Sequence, residues 1–162
     1  NKNIEKLITN SIISEDEIAD KASPKLASIR SNKKGLELEI KNKLTGLLHS
    51  NTYSKYIMDP VITIRNDRYV IPVKSEYRSQ IKGFIHDTSS SGSTVYIEPM
   101  AVFEINNSIN NLMVEEQHEI EVILNNLSGQ LYPIAGFLNQ DINLIGILDF
   151  ISSKAKLSIS NK

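Results

Sequence analysis

The chain has 162 residues, 40% of them hydrophobic and 23% charged, with a formal net charge of −1, no tryptophan and no cysteine. That length suits about one domain, able to bury roughly two-thirds of its unfolded surface, and the missing cysteines exclude disulfides, thiolate metal sites and cysteine nucleophiles while fitting a cytoplasmic protein. With 6% aromatic residues the core is expected to be aliphatic.

No uninterrupted apolar run of about eighteen residues is present, so the chain is expected to be soluble and to have no membrane partner. Asn1, with no preceding Met, reads as the start of a segment from a longer protein. The charge is uneven: residues 25–50 carry +4, residues 61–87 carry +2, and residues 101–125 carry −5 with no Lys or Arg. Two such segments on neighbouring helices attract each other, which is the plain reading of the asymmetry.

In chain order, Ser14 and Glu17 have the spacing of a capping box and predict a short helix over 14–23. Ser23 fits an N-cap and Pro24 a first helical position, so a second helix starts there. Leu26, Ile29, Leu36, Ile40, Leu44 and Leu47 give it one narrow apolar stripe. From Asp59 the period falls to two. "VITIR" and "RYVIPVK" flank Asn66-Asp67, a pair suited to the positive φ of a tight hairpin turn. That register sets Arg65 across from Arg68 and predicts an apolar face of Ile62, Ile64, Tyr69 and Ile71, with Thr63, Arg65, Arg68, Val70 and Lys74 facing outward. Pro72 points to an edge strand or a bulge. Strands at 81–86 and 94–98 complete a four-stranded antiparallel unit. Helical spacing resumes through Val102, Ile105, Ile109, Leu112, Ile120, Ile123 and Leu127, interrupted by Glu116. After Gly129 and Pro133 an apolar-dense segment is expected to form a helix buried on most sides.

The fold class predicted is therefore α+β, mainly α: two long antiparallel helices rising from a helical core and carrying a small antiparallel β unit at the tip. The boundaries are 1–22 and 129–162 for the core, 23–58 for the ascending helix, 59–99 for the β unit and 100–128 for the descending helix.

The serine-rich stretch "HDTSSSGSTVYIEP" is not a nucleotide loop, since it has one glycine and no lysine. It lacks the G-x-S-x-G elbow of a serine hydrolase. It reads as a structured turn in which Gly92 takes a conformation others cannot and Asp87 caps the backbone. Its exposed hydroxyls at Ser89, Ser90 and Ser91, with Gly92, could still touch a nucleic-acid backbone. Glu115, His118 and Glu121 have workable helical spacing for a metal, but a solvated charged face explains them better. No metal site and no catalytic residue is expected.

The segment "ITIRNDRYVIPVKSEYRSQIKGFIHDTSSSGSTVYIEPMAVFEINNSI" resembles the most characteristic part of the bacterial MutS paralogue of the second type, the Smr-bearing relative of the mismatch-repair protein MutS. "ADKASPKLASIR" before it and "LDFISSKAKL" after it are similar too. Asp67, Thr88 and Tyr96 depart from the residues common in that family.

The resemblance implies a core, lever and clamp region. The clamp would approach DNA backbone without sequence readout, through Arg65, Arg68, Lys74, Arg78 and Lys82. It also implies a homodimeric parent with ATP and magnesium in a separate ATPase domain, a terminal nuclease-like domain, and a role on branched DNA in suppressing recombination. No cofactor is expected in this segment. The alternatives are a module that grips collided ribosomes for rescue, and a purely structural spacer.

Overall fold

A computed structural model describes residues 2–160, mainly helical with two small antiparallel sheets. The chain forms two compact units. One holds the residues up to Ala22 together with those from Glu121 onward; the other runs Ser23–Ile120.

The first unit begins with α1, Lys2–Ser11, followed by a miniature hairpin of β1, Ile12–Ser14, and β2, Glu17–Ile18. The helix predicted over 14–23 is therefore corrected. Ser14 and Glu17 face each other in the ladder instead of closing a capping box. Fewer than ten residues separate Ser14 from Pro24, too few for a helix that must stand on local bonds. Burying Ile18 and Ala19, with the Ala19 amide bonded to the Ser11 carbonyl, favours the extended path.

At the other end of the chain, α3, Phe103–Leu131, passes through a short 3-10 turn, Tyr132–Ile134, into α4, Ala135–Ser160. The expected helix is present, but the expected burial is not. Every residue from 135 to 159 is exposed, Phe137, Ile145, Leu148 and Ile151 included. By length and composition alone, the helical stretch Met100–Ile159 contains a window apolar enough to cross a membrane.

The second unit starts where the sequence places it. Ser23 accepts hydrogen bonds from the Lys25 and Leu26 amides, and Pro24 opens α2, Pro24–Leu48. Its stripe buries Leu26, Ile29, Ile40, Leu44 and Leu48. Arg30 and Lys33 both bind Glu116 of α3, and Ser23 and Lys25 bind Glu119 one turn further on. Residues that advance along α2 thus meet residues that recede along α3, so the helices run antiparallel. Glu116, which breaks the apolar spacing, does so to receive two cations. Burial raises its pKa, but the hydrogen bonds and charges of Lys33 and Arg30 outweigh that and hold its carboxyl below the usual range. At Glu119 the Ser23 and Lys25 hydrogen bonds act first, in the same direction. The attraction of a basic and an acidic helix thus accounts for much of the charge asymmetry.

Between the helices lies a sheet of order β3-β4-β6-β5: β3, Thr63–Arg65; β4, Arg68–Lys74; β5, Gly83–Thr88; β6, Thr94–Pro99. Asn66 and Asp67 have φ of 50° and 59°, the conformation their hairpin turn requires. One face, with Tyr69, Ile71, Val73, Val95 and Ile97, joins Ile40 and Leu44 of α2 and Ile105 and Ile109 of α3 in a single apolar cluster. Pro72 lies on a central strand, not an edge. Its carbonyl bonds the Met58 amide, on a stretch of β4 beyond the end of β3, where a missing N–H removes no bond of the sheet ladder.

Candidate nucleic-acid interface

The second face of the sheet departs most from expectation. Alternation puts Thr63, Arg65, Arg68, Val70, Tyr96 and Glu98 on it, and the sequence reads as solvated. In the structure Val70 and Glu98 are both fully buried, and Ile64, assigned to the packed face, is 53% exposed. The sheet curls until its two edge strands touch. Arg65 of β3 pairs with Asp87 of β5 at 3.1 Å, and the Asn66 side chain donates to the His86 carbonyl at 3.0 Å. The Arg65 guanidinium lies over the Tyr96 ring, 4.3 Å from its centre.

A bulge makes this possible. Ile85 pairs with Ile97 and Asp87 with Tyr96, leaving His86 as the extra residue. One inserted residue sets two neighbouring side chains on the same face, so His86 and Asp87 both point into the curl. His86 Nε2 reaches Glu98 at 2.6 Å, Arg68 donates to Glu98 at 3.1 Å, and Asn106 of α3 donates to it at 2.7 Å. Side chains from β4, β5 and α3 thus converge on one buried carboxylate of β6, whose burial is tolerable because both of its oxygens have hydrogen-bond partners.

Asn106 has a second task. Its side chain accepts from the Tyr69 amide at 3.0 Å and donates to the Tyr69 carbonyl at 3.1 Å. Continuing the β4–β6 register brings Pro99 opposite Tyr69, and proline cannot donate. The Asn106 amide supplies the donor that Pro99 lacks and also takes the Tyr69 N–H. The Tyr69 phenol is pushed above its usual pKa by burial and then by the charge of Glu37.

These contacts sort the predicted residues. Arg65 does face Arg68, but each has a carboxylate partner, the exposed Asp87 for Arg65 and the buried Glu98 for Arg68. The outward orientation predicted for Arg68 is corrected, since its side chain turns onto the buried Glu98, whereas Arg65 remains at the surface while pairing with the exposed Asp87. The hairpin turn also lies toward the helices, since Tyr69 is bonded to α3; the opposite end of the sheet carries the serine loop. There Ser89 exchanges backbone bonds with Gly92 and Thr94, and Gly92 has the expected positive φ, 71°. Ser90 and Ser91 are exposed, and Ser91 is hydrogen-bonded to both Ser89 and Ser93. Lys74, joined to this end by the Ser75–Ser93 backbone bond, donates to the Lys55 carbonyl. Arg78 and Lys82 are exposed and, among the described residues, have no ion-pair partner.

Sequence reasoning missed Glu98, His86 and Asn106. Glu98 occupies an alternate strand position that reads as solvent-facing, and Asn106 stands one place beyond an apolar stripe residue. The signal was a polar side chain at either end of a proline-interrupted ladder. No group of three or more metal-binding side chains occurs among the described residues.

The class of protein is thus α+β and mainly α, with two antiparallel helices joined through a curled β unit that a buried polar cluster fastens to one of them. No family model matches the chain. It is 53% identical over 98% of its length to "Endonuclease MutS2" of Acetivibrio thermocellus, 50% identical to that of Ruminiclostridium cellulolyticum and 48% to that of Clostridioides difficile. The chain belongs to the MutS2 family, as a segment spanning about 20% of the length of these curated relatives.

Proposed function

We propose that the chain is the non-catalytic lever and clamp of a MutS2-type DNA-binding ATPase, whose β unit contacts sugar–phosphate backbone without reading bases. The observation that supports this is the contrast among its cations. Arg65 and Arg68 are paired with carboxylates, whereas Arg78 and Lys82 are exposed and, among the described residues, without an ion-pair partner, on the same unit as Lys74 and the hydroxyl-rich loop Ser89 to Gly92. Phosphate contact needs free cations, hydroxyls and amides, and carries no sequence information. In this reading ATP, magnesium, dimerisation and any nuclease step belong to other parts of a cytoplasmic homodimer.

The test is the triple variant Lys74→Ala, Arg78→Ala, Lys82→Ala in the full-length protein. Its binding to duplex DNA, branched DNA and collided ribosomes is titrated across salt concentrations. Affinity should fall similarly for all DNA sequences, and the salt dependence should flatten by about three phosphate contacts. Unchanged affinity and slope on DNA would remove the β unit from the interface. Loss confined to ribosomes would transfer the contact to ribosomal RNA.

A further inference from the structure

Beside Lys82 a cavity of about 330 Å³ opens where α2, the sheet and the 3-10 turn that precedes α3, Met100–Val102, meet. Its walls are Leu47, Tyr53, Ile71, Ile81, Pro99 and Met100. The size falls at the small end of ligand sites, about 300–1,000 Å³, and is roughly ten times the volume of one liquid water. Its mouth is accessible, since Met100 is 52% exposed.

The chemistry of the lining is one-sided. Lys82 is its single charged residue, with no carboxylate to neutralise it, and Gln80 adds an amide that both donates and accepts. Arg78 lies two residues from Gln80 on the same 3-10 turn, Ser75–Gln80. An occupant with a flat apolar body and an attached anion matches this arrangement: apolar walls and the Tyr53 ring for the body, Lys82 for the charge.

We propose that this groove receives one unstacked nucleobase of a single-stranded or branched polynucleotide, with a flanking phosphate on Lys82. The proposal rests on the backbone-contact reading above and adds to it a preference for unpaired strands. Every base presents a flat face to an aromatic wall, and a lone amide at the rim can meet donors or acceptors, so little base selectivity follows. A base held in a duplex must first be unstacked, at a cost of a few kcal/mol, and gains nothing from the groove.

The experiment compares a gapped duplex, carrying 2-aminopurine at the unpaired position, with a fully paired duplex, using the full-length protein. The wild type should bind the gapped duplex about tenfold more tightly, equivalent to about 1.4 kcal/mol, and change the probe's fluorescence. Ala101→Phe fills the groove and Tyr53→Leu removes its aromatic wall while keeping it apolar. Either variant, if folded by circular dichroism, should lose the preference and the fluorescence change while holding duplex affinity.

Equal affinities in the wild type, an undiminished preference in both variants, or a parallel loss of duplex binding would each overturn the groove. Displacement of the probe by a peptide with an aspartate-flanked leucine, but not by nucleoside monophosphate, would overturn it in favour of a protein occupant. Failure of the backbone reading shows separately, as unchanged binding in the triple variant.

Discussion

Replacing Asn106 with leucine tests whether the polar cluster fastens the sheet to the helix. The two side chains are similar in size, so the change removes hydrogen bonds with little change in volume. Three bonds disappear: two to the backbone of Tyr69 and one to Glu98. Asn106 is fully buried and Tyr69 is 8% exposed, so water cannot readily replace them. An orphaned buried peptide group costs about 1–3 kcal/mol, and a lost bond to a charged group somewhat more than a neutral one. The expected destabilisation is therefore about 3–6 kcal/mol, part of it offset by burying the leucine. Urea unfolding followed by the near-ultraviolet signal of the six tyrosines reads the change, and a chain without tryptophan gives no competing signal. A loss below about 1 kcal/mol would refute the argument that Asn106 completes the β4 ladder.

Arg68→Ala should destabilise by about 2–4 kcal/mol, because it removes the guanidinium that pairs with the buried Glu98; this is the strongly destabilising half of a buried pair, measured by the same unfolding assay, and a neutral result would show that Glu98 is adequately held by its hydrogen bonds to His86 and Asn106. Gly83→Ala should unfold the β unit more readily than Gly92→Ala. A Cβ on Gly83 would sit 2.1 Å from the Glu98 carbonyl oxygen, whereas Gly92 has open space and only a φ of 71° to defend, about 1–2 kcal/mol for a non-glycine residue; thermal melts rank the two. The folded pKa values of Glu116 and Glu119 are depressed, so their contribution is present above the ordinary value of 4.5 and is lost as pH falls through the lower folded values. Glu116→Gln should flatten the acid limb of a stability-against-pH curve, and an unchanged limb would detach the stem ion pair from acid unfolding.

What the sequence announced was local. Ser23 and Pro24 fix the start of α2 with bonds that span three residues, and Asn66-Asp67 fix a turn by their own tolerance of positive φ. Gly92 belongs to the same group. The polar cluster could not be announced this way, since Arg68 and Glu98 are 30 residues apart and their meeting depends on how far the sheet curls. Curling is in turn set by a single inserted residue, His86, which strand periodicity treats as one more alternation. At Ser14 the local signal was real but met a competitor, burial of Ile18 and Ala19. For α4 the apolar composition states what the helix requires, and no sequence pattern specifies which surface meets that need.

The capped rim of β5 bears on crowding. A homodimer would hold two such modules at high local concentration, and an open strand edge in that setting invites one sheet to continue into the next. Here the His86 carbonyl is taken by Asn66, the Thr88 amide by its neighbour Asp87, and the bulge between them breaks the even spacing that a pairing strand would need. Two copies pressed together would find no regular template along this strand. The same inserted histidine that turns side chains inward toward Glu98 thus also denies this edge the regular spacing on which a second sheet could build.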